Sequence, residues 1–347
     1  MKGAAMSDFL TQFAATGTAR EIGFALGRFG RQAVQGKLCR APAWQGVVAE
    51  ADSDFVTAMA ARVRADFPEI WDEIEGLAEG LELPLAEVFA WNCRGDIWAG
   101  APDGCTSVMV PGSPAVLAHN EDGLPLLAPH CGLVEARPKG ATGFVSFVYP
   151  GSIPGHTFAV NAAGLAMTVN NIRATRAGAG LPRMVLGRAV LACTSLDEAV
   201  ALLRETPRAG GFHYALAQAG NPRLLSVEFC GDGVSVREIA AAEAHANHLI
   251  HPAMAGVAQQ VTESSRDRQA RADALVGAAP LAILADHAGP GLPILRRAED
   301  DPDDENTIAT ARFEIGAGVH GTVHVPGDPA PAFRVSVTGG ELALTRV

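Results

Sequence analysis

The sequence predicts an α+β layered domain, with two mainly antiparallel sheets covered by helices. Three observations carry this. The first hundred residues place apolar side chains at helical spacing. From residue 105 onward the pattern changes to short apolar runs separated by Gly and Pro turns, as hairpin-linked strands require. Helical stretches then interrupt the strands twice, so the order is strands, helices, strands, helices, strands.

Bulk composition narrows the function classes. The chain has 347 residues, 48% of them hydrophobic, which is ample for a sizeable core. Charged residues make up 19% and the formal net charge is −11, so neither nucleic acid nor an anionic membrane surface is an expected partner. No apolar run is long enough to span a bilayer. The first thirty residues carry Asp8 and Glu21 and no long apolar stretch, so no signal peptide is expected. The six cysteines are dispersed without a CxxC pair, which suits reduced thiols and a cytoplasmic location.

The elements follow in order. Thr18-Ala-Arg-Glu21 forms a capping box for a helix to about Gln35, with Ile22, Leu26 and Phe29 on one face. Gly23, Gly27 and Gly30 on that helix point to close packing against another element. A second helix fits residues 47–65. Pro68 suits the first turn of a third, which Gly80 ends, and Pro84 opens a fourth. Residues 100–104 are a turn-rich connector. Strands are expected at 105–110, 116–120, 144–149, 156–160 and 165–170, then helices at 182–192 and from the capping box Ser195-Leu-Asp-Glu198 to about Glu205. Strands return at 215–218, 224–229 and 234–239. Residues 262–276 and 281–287 read as helices, and 307–315, 321–324 and 333–338 as the closing strands. The acidic run from Glu299 to Glu305 lacks the spacing of a calcium loop and reads as a solvated surface loop.

Cys105 stands at the seam between the two halves. A free cysteine is usually a small buried hydrophobe, and the other five read that way. Gly104 ahead of it leaves an unshielded carbonyl and a permissive backbone. A thiolate from Cys105 could attack that carbonyl, shift the acyl group from nitrogen to sulfur, and let water release a new N-terminus. The freed α-amine, with an ordinary pKa of about 8, would then act as a base beside its own thiol.

Other residues could serve such a nucleophile. His119-Asn-Glu-Asp122 comes one hairpin later and would bring the Asp122 carboxylate near Cys105; a polar turn closing a strand is the plainer alternative. Residues 161–171 form a turn and a strand ending in Asn170 and Asn171, where an amide could donate to an oxyanion or cap a turn. His245, His248 and His251 invite a metal, but on a strand His245 and His248 face opposite sides and no fourth ligand is near in sequence, so no metal is expected. Ser264-Ser265-Arg266 opens a helix that could aim Arg266 at a carboxylate.

Taken in order, these pieces resemble the acyl-coenzyme A:6-aminopenicillanic acid acyltransferase family of the N-terminal-nucleophile (Ntn) hydrolases. The matching stretches are 17–27, 73–80 and 91–94 before the seam, then Gly104-Cys-Thr-Ser107, Asn120-Glu-Asp122, Asn161-Ala-Ala-Gly-Leu165, Val227-Glu-Phe229, Asn247-His248 and Ser265-Arg266. The resemblance implies an αββα four-layer sandwich preceded by a largely helical pro-segment. Cleavage between Gly104 and Cys105 would make residues 1–104 a small subunit that stays bound to the catalytic part, 105–347. It implies Cys105 as nucleophile, Asp122 as its support, Asn247 in the oxyanion hole, Asn171 (or its neighbour Asn170) as a second oxyanion residue, and Arg266 as a site arginine. It implies no cofactor. His119 stands where bile-salt-type relatives carry arginine, which points away from bile salts. Glu121 stands where the fungal penicillin enzyme carries tryptophan, which points away from β-lactam acyl transfer.

The expected activity is therefore cleavage of a small non-peptide or N-acyl amide through a Cys105 thioester, resolved by water or by an amine acceptor. Two alternatives remain open: a non-catalytic binding protein that keeps the fold, and a thiol protease pairing Cys105 with His119 or His248. Association into a homo-oligomer is compatible with either.

Overall fold

The computed structural model describes residues 10–101, 104–175, 178, 180–231 and 233–347. Asp8, and residues 102–103 of the connector, lie outside the described residues. The chain opens with β1 (Thr11–Gly17), α1 (Ala19–Gly36), α2 (Pro42–Val48), α3 (Asp54–Asp66), α4 (Pro68–Leu81), α5 (Leu85–Asn92) and α6 (Arg94–Ile97). The strands β2 (Gly104–Val110), β3 (Ala115–Gly123), β4 (Gly132–Pro138), β5 (Phe144–Val148), β6 (Phe158–Asn161) and β7 (Leu165–Ile172) follow. Then come α7 (Arg183–Ala192), α8 (Leu196–Glu205), β8 (Gly211–Gln218), β9 (Leu224–Cys230), β10 (Gly233–Glu238) and β11 (Glu243–His245). The chain finishes with α9 (Glu263–Leu275), α10 (Pro280–Leu284), β12 (Asn306–Ile315), β13 (Val319–His324), β14 (Phe333–Thr338) and β15 (Glu341–Arg346).

Two sheets form the centre. One has eight strands in the order β1-β4-β5-β6-β7-β8-β9-β10, the other seven in the order β11-β2-β3-β12-β13-β14-β15. β1 runs parallel to β4, and the remaining pairs are antiparallel. Helices α1, α7 and α8 pack on the eight-stranded sheet, with α4 and α5 behind them, while α9 and α10 pack on the seven-stranded one. The inner faces meet where β2 and β3 lie against β7 and β8. This is the expected αββα order.

The local reasons are legible. Thr18 and Glu21 form the reciprocal capping box at the start of α1. Gly23 and Gly27 of α1 face Gly76 and Gly80 of α4, and a Cβ at Gly23 would sit 1.8 Å from the Glu73 carbonyl oxygen. Backbone-to-backbone contact is what excludes a side chain there. Gly80 serves this contact and does not end α4, which closes at Glu82 in the left-handed region. Farther along α4, Glu73 is buried and takes the Arg188 guanidinium of α7 at 2.9 Å, tying the first hundred residues to the rest. Breaking one side of such a buried pair typically costs about 3–5 kcal/mol.

Several expectations change. The first 104 residues are not purely helical, since β1 adds an edge strand to the eight-stranded sheet. Its mixed, half-exposed TQFAATG pattern carries little strand signal. The helix expected over 47–65 is two, because Ser53 caps a new start at Asp54. The acidic run is solvated only in part: Glu299, Asp300 and Asp304 are exposed, but Glu305 is fully buried and the Asp301 side chain nearly so, both paired with the buried Arg296. Among the described residues no helix is long and apolar enough to cross a membrane.

Close packing of α1 on α4 makes a prediction. Gly23→Ala should lower the unfolding free energy by about 1–3 kcal/mol through overpacking. Gly36→Ala meets nothing within 4 Å and should leave stability equal or up to about 1 kcal/mol higher. Denaturant midpoints of the two variants measured side by side decide it; equal losses would remove the glycine-contact account.

Candidate active site

The site is built on the β2–β3 hairpin. Cys105 pairs with Glu121, Ser107 with His119, Gly104 with Asp122 and Thr106 with Asn120. Alternation therefore sorts these residues onto two faces. Cys105, Ser107, His119 and Glu121 face the other sheet, where the Ser107 hydroxyl meets Thr168 at 2.9 Å and Asn170 at 2.7 Å. Thr106, Asn120 and Asp122 face the α9–α10 layer, where Asn120 donates to the Leu284 carbonyl at 2.8 Å.

Cys105 is 2% exposed. Its main-chain N–H donates to Asn247 Oδ1 at 2.8 Å. Asn247 lies just past β11, which pairs with β2 on the side away from β3. Three side chains of α9 hold this stretch. Ser265 Oγ accepts the Asn247 N–H at 2.9 Å, Gln269 accepts the Ala246 N–H at 2.8 Å, and Arg268 donates to Asn247 Oδ1 at 2.7 Å. Arg268 also donates to Thr106 Oγ1 at 2.9 Å and to the Cys105 carbonyl. Burial lowers the Arg268 pKa, and the Asp122 carboxyl is the largest opposing partner.

The arginine at the site is therefore Arg268, not Arg266. Ser264, Ser265, Arg268, Gln269 and Ala272 form the buried face of α9, and Arg266 is exposed. Arg266 sits two residues before Arg268, about 200° around the helix. Helical phase was the signal available in the sequence.

Asp122 is next to Cys105 in the sheet but on the opposite face from the thiol. Thr307 donates to its Oδ1 at 2.7 Å, while Oδ2 has no hydrogen-bond partner among the described residues. A bulge in β12 between Thr307 and Ala309 falls beside it. Burial raises the Asp122 pKa, opposed by Arg268 and Arg296. Gly104 is crowded on this face, since a Cβ there would lie 2.2 Å from the buried Glu305 carboxyl.

Asn171 reaches the site through its main chain, its carbonyl accepting from Asn247 Nδ2 at 3.1 Å, while its side-chain oxygen accepts from Arg183. Asn170 lies between the sheets, accepting from Ser107 and hydrogen-bonded to His213 at 3.0 Å. His245 meets Glu228 at 2.8 Å and His248 meets Ser265 at 2.8 Å, so the two rings do not converge on one point.

On the thiol face, sequence reasoning assigned no role to Glu121. The Cys105 thiol donates to Glu121 Oε2 at 3.8 Å. The same oxygen meets His119 Nε2 at 3.0 Å, and Oε1 accepts from the Tyr149 hydroxyl at 2.8 Å. His119 Nδ1 meets Ser107 Oγ at 2.9 Å. Burial pushes the His119 imidazole down to about 3, so it is neutral near pH 7. A direct Cys–His pair is not what the hydrogen bonds describe, because Glu121 stands between. The thiol sulfur, one imidazole nitrogen and one carboxyl oxygen of Cys105, His119 and Glu121 all lie within 4.8 Å of one another.

Two packed antiparallel sheets between helical layers, with a Gly–Cys step heading a central strand, define an Ntn-hydrolase fold. The chain belongs to the acyl-coenzyme A:6-aminopenicillanic acid acyl-transferase family, whose sequence model matches residues 109–323. This is a family of amide hydrolases and acyltransferases of the Ntn type. The chain is 30% identical over 165 residues to a β-alanyl-dopamine/carcinine hydrolase of Drosophila melanogaster, covering 41% of this chain and 42% of that one. The match thus spans less than half of the relative's length. A solved mutant of the conjugated bile acid hydrolase of Clostridium perfringens superposes at a TM-score of 0.43 and 9% identity, over 70% of this chain and 97% of that one.

The buried imidazole gives a pH prediction. An unfolded histidine titrates near 6.5. On acidification the unfolded chain takes up its proton first. Stability tied to neutral His119 is thus present above about pH 6.5 and is lost as pH falls towards 3. The His119 ring-proton signal should show no titration step between pH 5 and 9, and His119→Gln should flatten part of the acid loss. A step near pH 6.5 would contradict the buried, neutral ring.

Proposed function

We propose that the protein is a self-processing Ntn cysteine amidohydrolase that cleaves a small non-peptide or N-acyl amide through a Cys105 thioester. The observation that carries this reading is the seat of the Cys105 nitrogen. Its N–H already points at Asn247 Oδ1, which Arg268 pins from the other side. Cleavage at Gly104–Cys105 would turn that nitrogen into a primary amine without moving it. Asp122, opposite Gly104 and with one carboxyl oxygen unpartnered among the described residues, suits a second contact to the resulting ammonium.

In turnover the α-amine takes the thiol proton and Sγ attacks the substrate acyl carbon. The tetrahedral oxyanion is held by the Asn247 amide, while Asn171, whose carbonyl reaches the site and whose side chain meets Arg183, positions that amide. The amine leaves with a proton, and water resolves the thioester to a carboxylic acid. Because Cys105 is buried, substrate reaches it only after the chain around it rearranges. The small subunit 1–104 stays attached through β1, α1 and the Glu73–Arg188 pair. β-Alanyl-dopamine and carcinine, named for the Drosophila relative, are the first substrates to test. Membership of an acyl-transferase family favours a second fate for the same thioester, transfer to an amine acceptor.

Intact mass should show two chains, 1–104 and 105–347, for the wild type and one chain for Cys105→Ala. Against a panel of acyl amides, Cys105→Ala should be inactive and Asn247→Ala slower by about 10²–10³. One intact wild-type chain without amidase activity would favour a non-catalytic binding protein.

A further inference from the structure

Self-processing poses a problem that the mature mechanism does not. Before the first cut, the Cys105 nitrogen is a peptide nitrogen whose lone pair is delocalised into the Gly104 carbonyl. It cannot accept the thiol proton, yet the thiolate is the species that attacks. Another group has to serve as base for that single turnover.

The thiol face offers one. Glu121 is the cross-strand partner of Cys105, and its Oε2 receives the Sγ–H at 3.8 Å. The carboxyl group is held from both ends. Tyr149 donates to Oε1 at 2.8 Å and His119 Nε2 meets Oε2 at 3.0 Å. Ser107 fixes the far side of the imidazole at 2.9 Å and is itself tied to Thr168 and Asn170 of β7. Glu121, His119 and Ser107 are at most 1% exposed. A base oriented by a third group, within reach of a nucleophile, is the arrangement general-base catalysis needs.

We propose that Glu121 is the general base of maturation, distinct from the α-amine that serves the mature enzyme, with His119 and Tyr149 as its positioning residues. The inference rests on the self-processing reading above. The Sγ proton passes to Glu121 and the thiolate attacks the Gly104 carbonyl carbon. The Gly104–Cys105 C–N bond breaks, and its electron pair stays on the nitrogen, which takes the proton back from Glu121. Water then adds to the Gly104 thioester. The C–S bond breaks, Gly104 leaves as a carboxylic acid, and Sγ regains its proton. Maturation and turnover so use two bases on opposite sides of one residue: Glu121 beside the sulfur first, the nitrogen beside Asn247 and Asp122 afterwards.

The test follows precursor conversion by intact mass in full-length protein made by rapid cell-free synthesis, from pH 5 to 10. Wild type should convert with a rate that levels off towards alkaline pH, and Cys105→Ala should not convert. Glu121→Gln should convert about 10²–10⁴ times more slowly at pH 7. Its rate should climb as the thiol ionises by itself near its ordinary pKa of about 8.5. Glu121→Asp should keep the wild-type profile at reduced rate, and Tyr149→Phe should shift the profile. Conversion of Glu121→Gln within about threefold of wild type, with an unchanged profile, overturns the proposal and leaves self-processing intact. A loss that alkaline pH repairs in neither Glu121 variant assigns the residue to holding the fold and overturns it too. A wild type that stays in one piece removes the self-processing reading itself.

Discussion

The Arg268 guanidinium is the contact on which the geometry of the site depends. It is fully buried, where an unpaired charge would be untenable. It is retained because every neighbour is an acceptor: the Cys105 carbonyl, Thr106 Oγ1, Asn247 Oδ1 and Ser264 Oγ. These belong to three separate pieces of chain, namely strand β2, the segment after β11, and helix α9. One planar, multidentate cation thus fixes the Cys105 main chain relative to the Asn247 amide, which a flexible point charge such as lysine would not do. The nearby Asp122 carboxyl balances the charge from the next strand. Arg296 and Glu305 act on the same two groups, so four buried charges from separate elements balance one another where the α9 layer meets the sheet.

Strand alternation then gives Cys105 two chemical environments. Its side chain looks into a polar layer between the sheets, and its main-chain nitrogen is turned towards Asn247. The inter-sheet layer continues well past Glu121 and His119. Asn170 meets His213, His213 meets Ser226 at 2.9 Å, and Ser226 meets His251 at 2.9 Å. Burial holds His213 and His251 below the usual imidazole range. A satisfied network of neutral rings and hydroxyls specifies how the two sheets sit on each other, because each member has few alternative partners. The thiol is the end of that network, so its orientation is set by packing deep inside the domain.

This layer also explains what the sequence made legible and what it hid. Strongly periodic elements were readable: the α1 capping box, the β7 run and the switch from helices to strands at residue 105. The proposed nucleophile was picked out by Gly104-Cys105 in that setting. Edge strands β1 and β15 were not: β1 buries only Ala15, and β15 is a short run whose buried side is just Leu342 and Leu344. Glu121 escaped for another reason. It sits in the run His119-Asn-Glu-Asp122, which reads as a polar turn closing a strand, yet β3 carries all four residues into the interior, with Glu121 and His119 turned towards the second sheet. Within the Glu299–Glu305 run, too, Glu305 and Asp301 turn inward to Arg296 while Glu299, Asp300 and Asp304 stay exposed. Composition records charge but not which charges meet.

Glu305 and Arg296 give the Gly–Cys step its last constraint. Their buried pair lies against the Gly104 Cα, and any Cβ there would press on the Glu305 carboxyl. That carboxyl cannot easily yield, since Arg173 holds its other oxygen at 2.8 Å. Glycine at this position is therefore required by steric exclusion before any argument about carbonyl exposure begins. The two reasons converge: the residue that would leave the acyl carbon open to the Cys105 thiol in the proposed self-cleavage is also the residue that fits beneath a fixed ion pair. The strand can then enter the sheet with its sulfur facing Glu121 and its nitrogen facing Asn247.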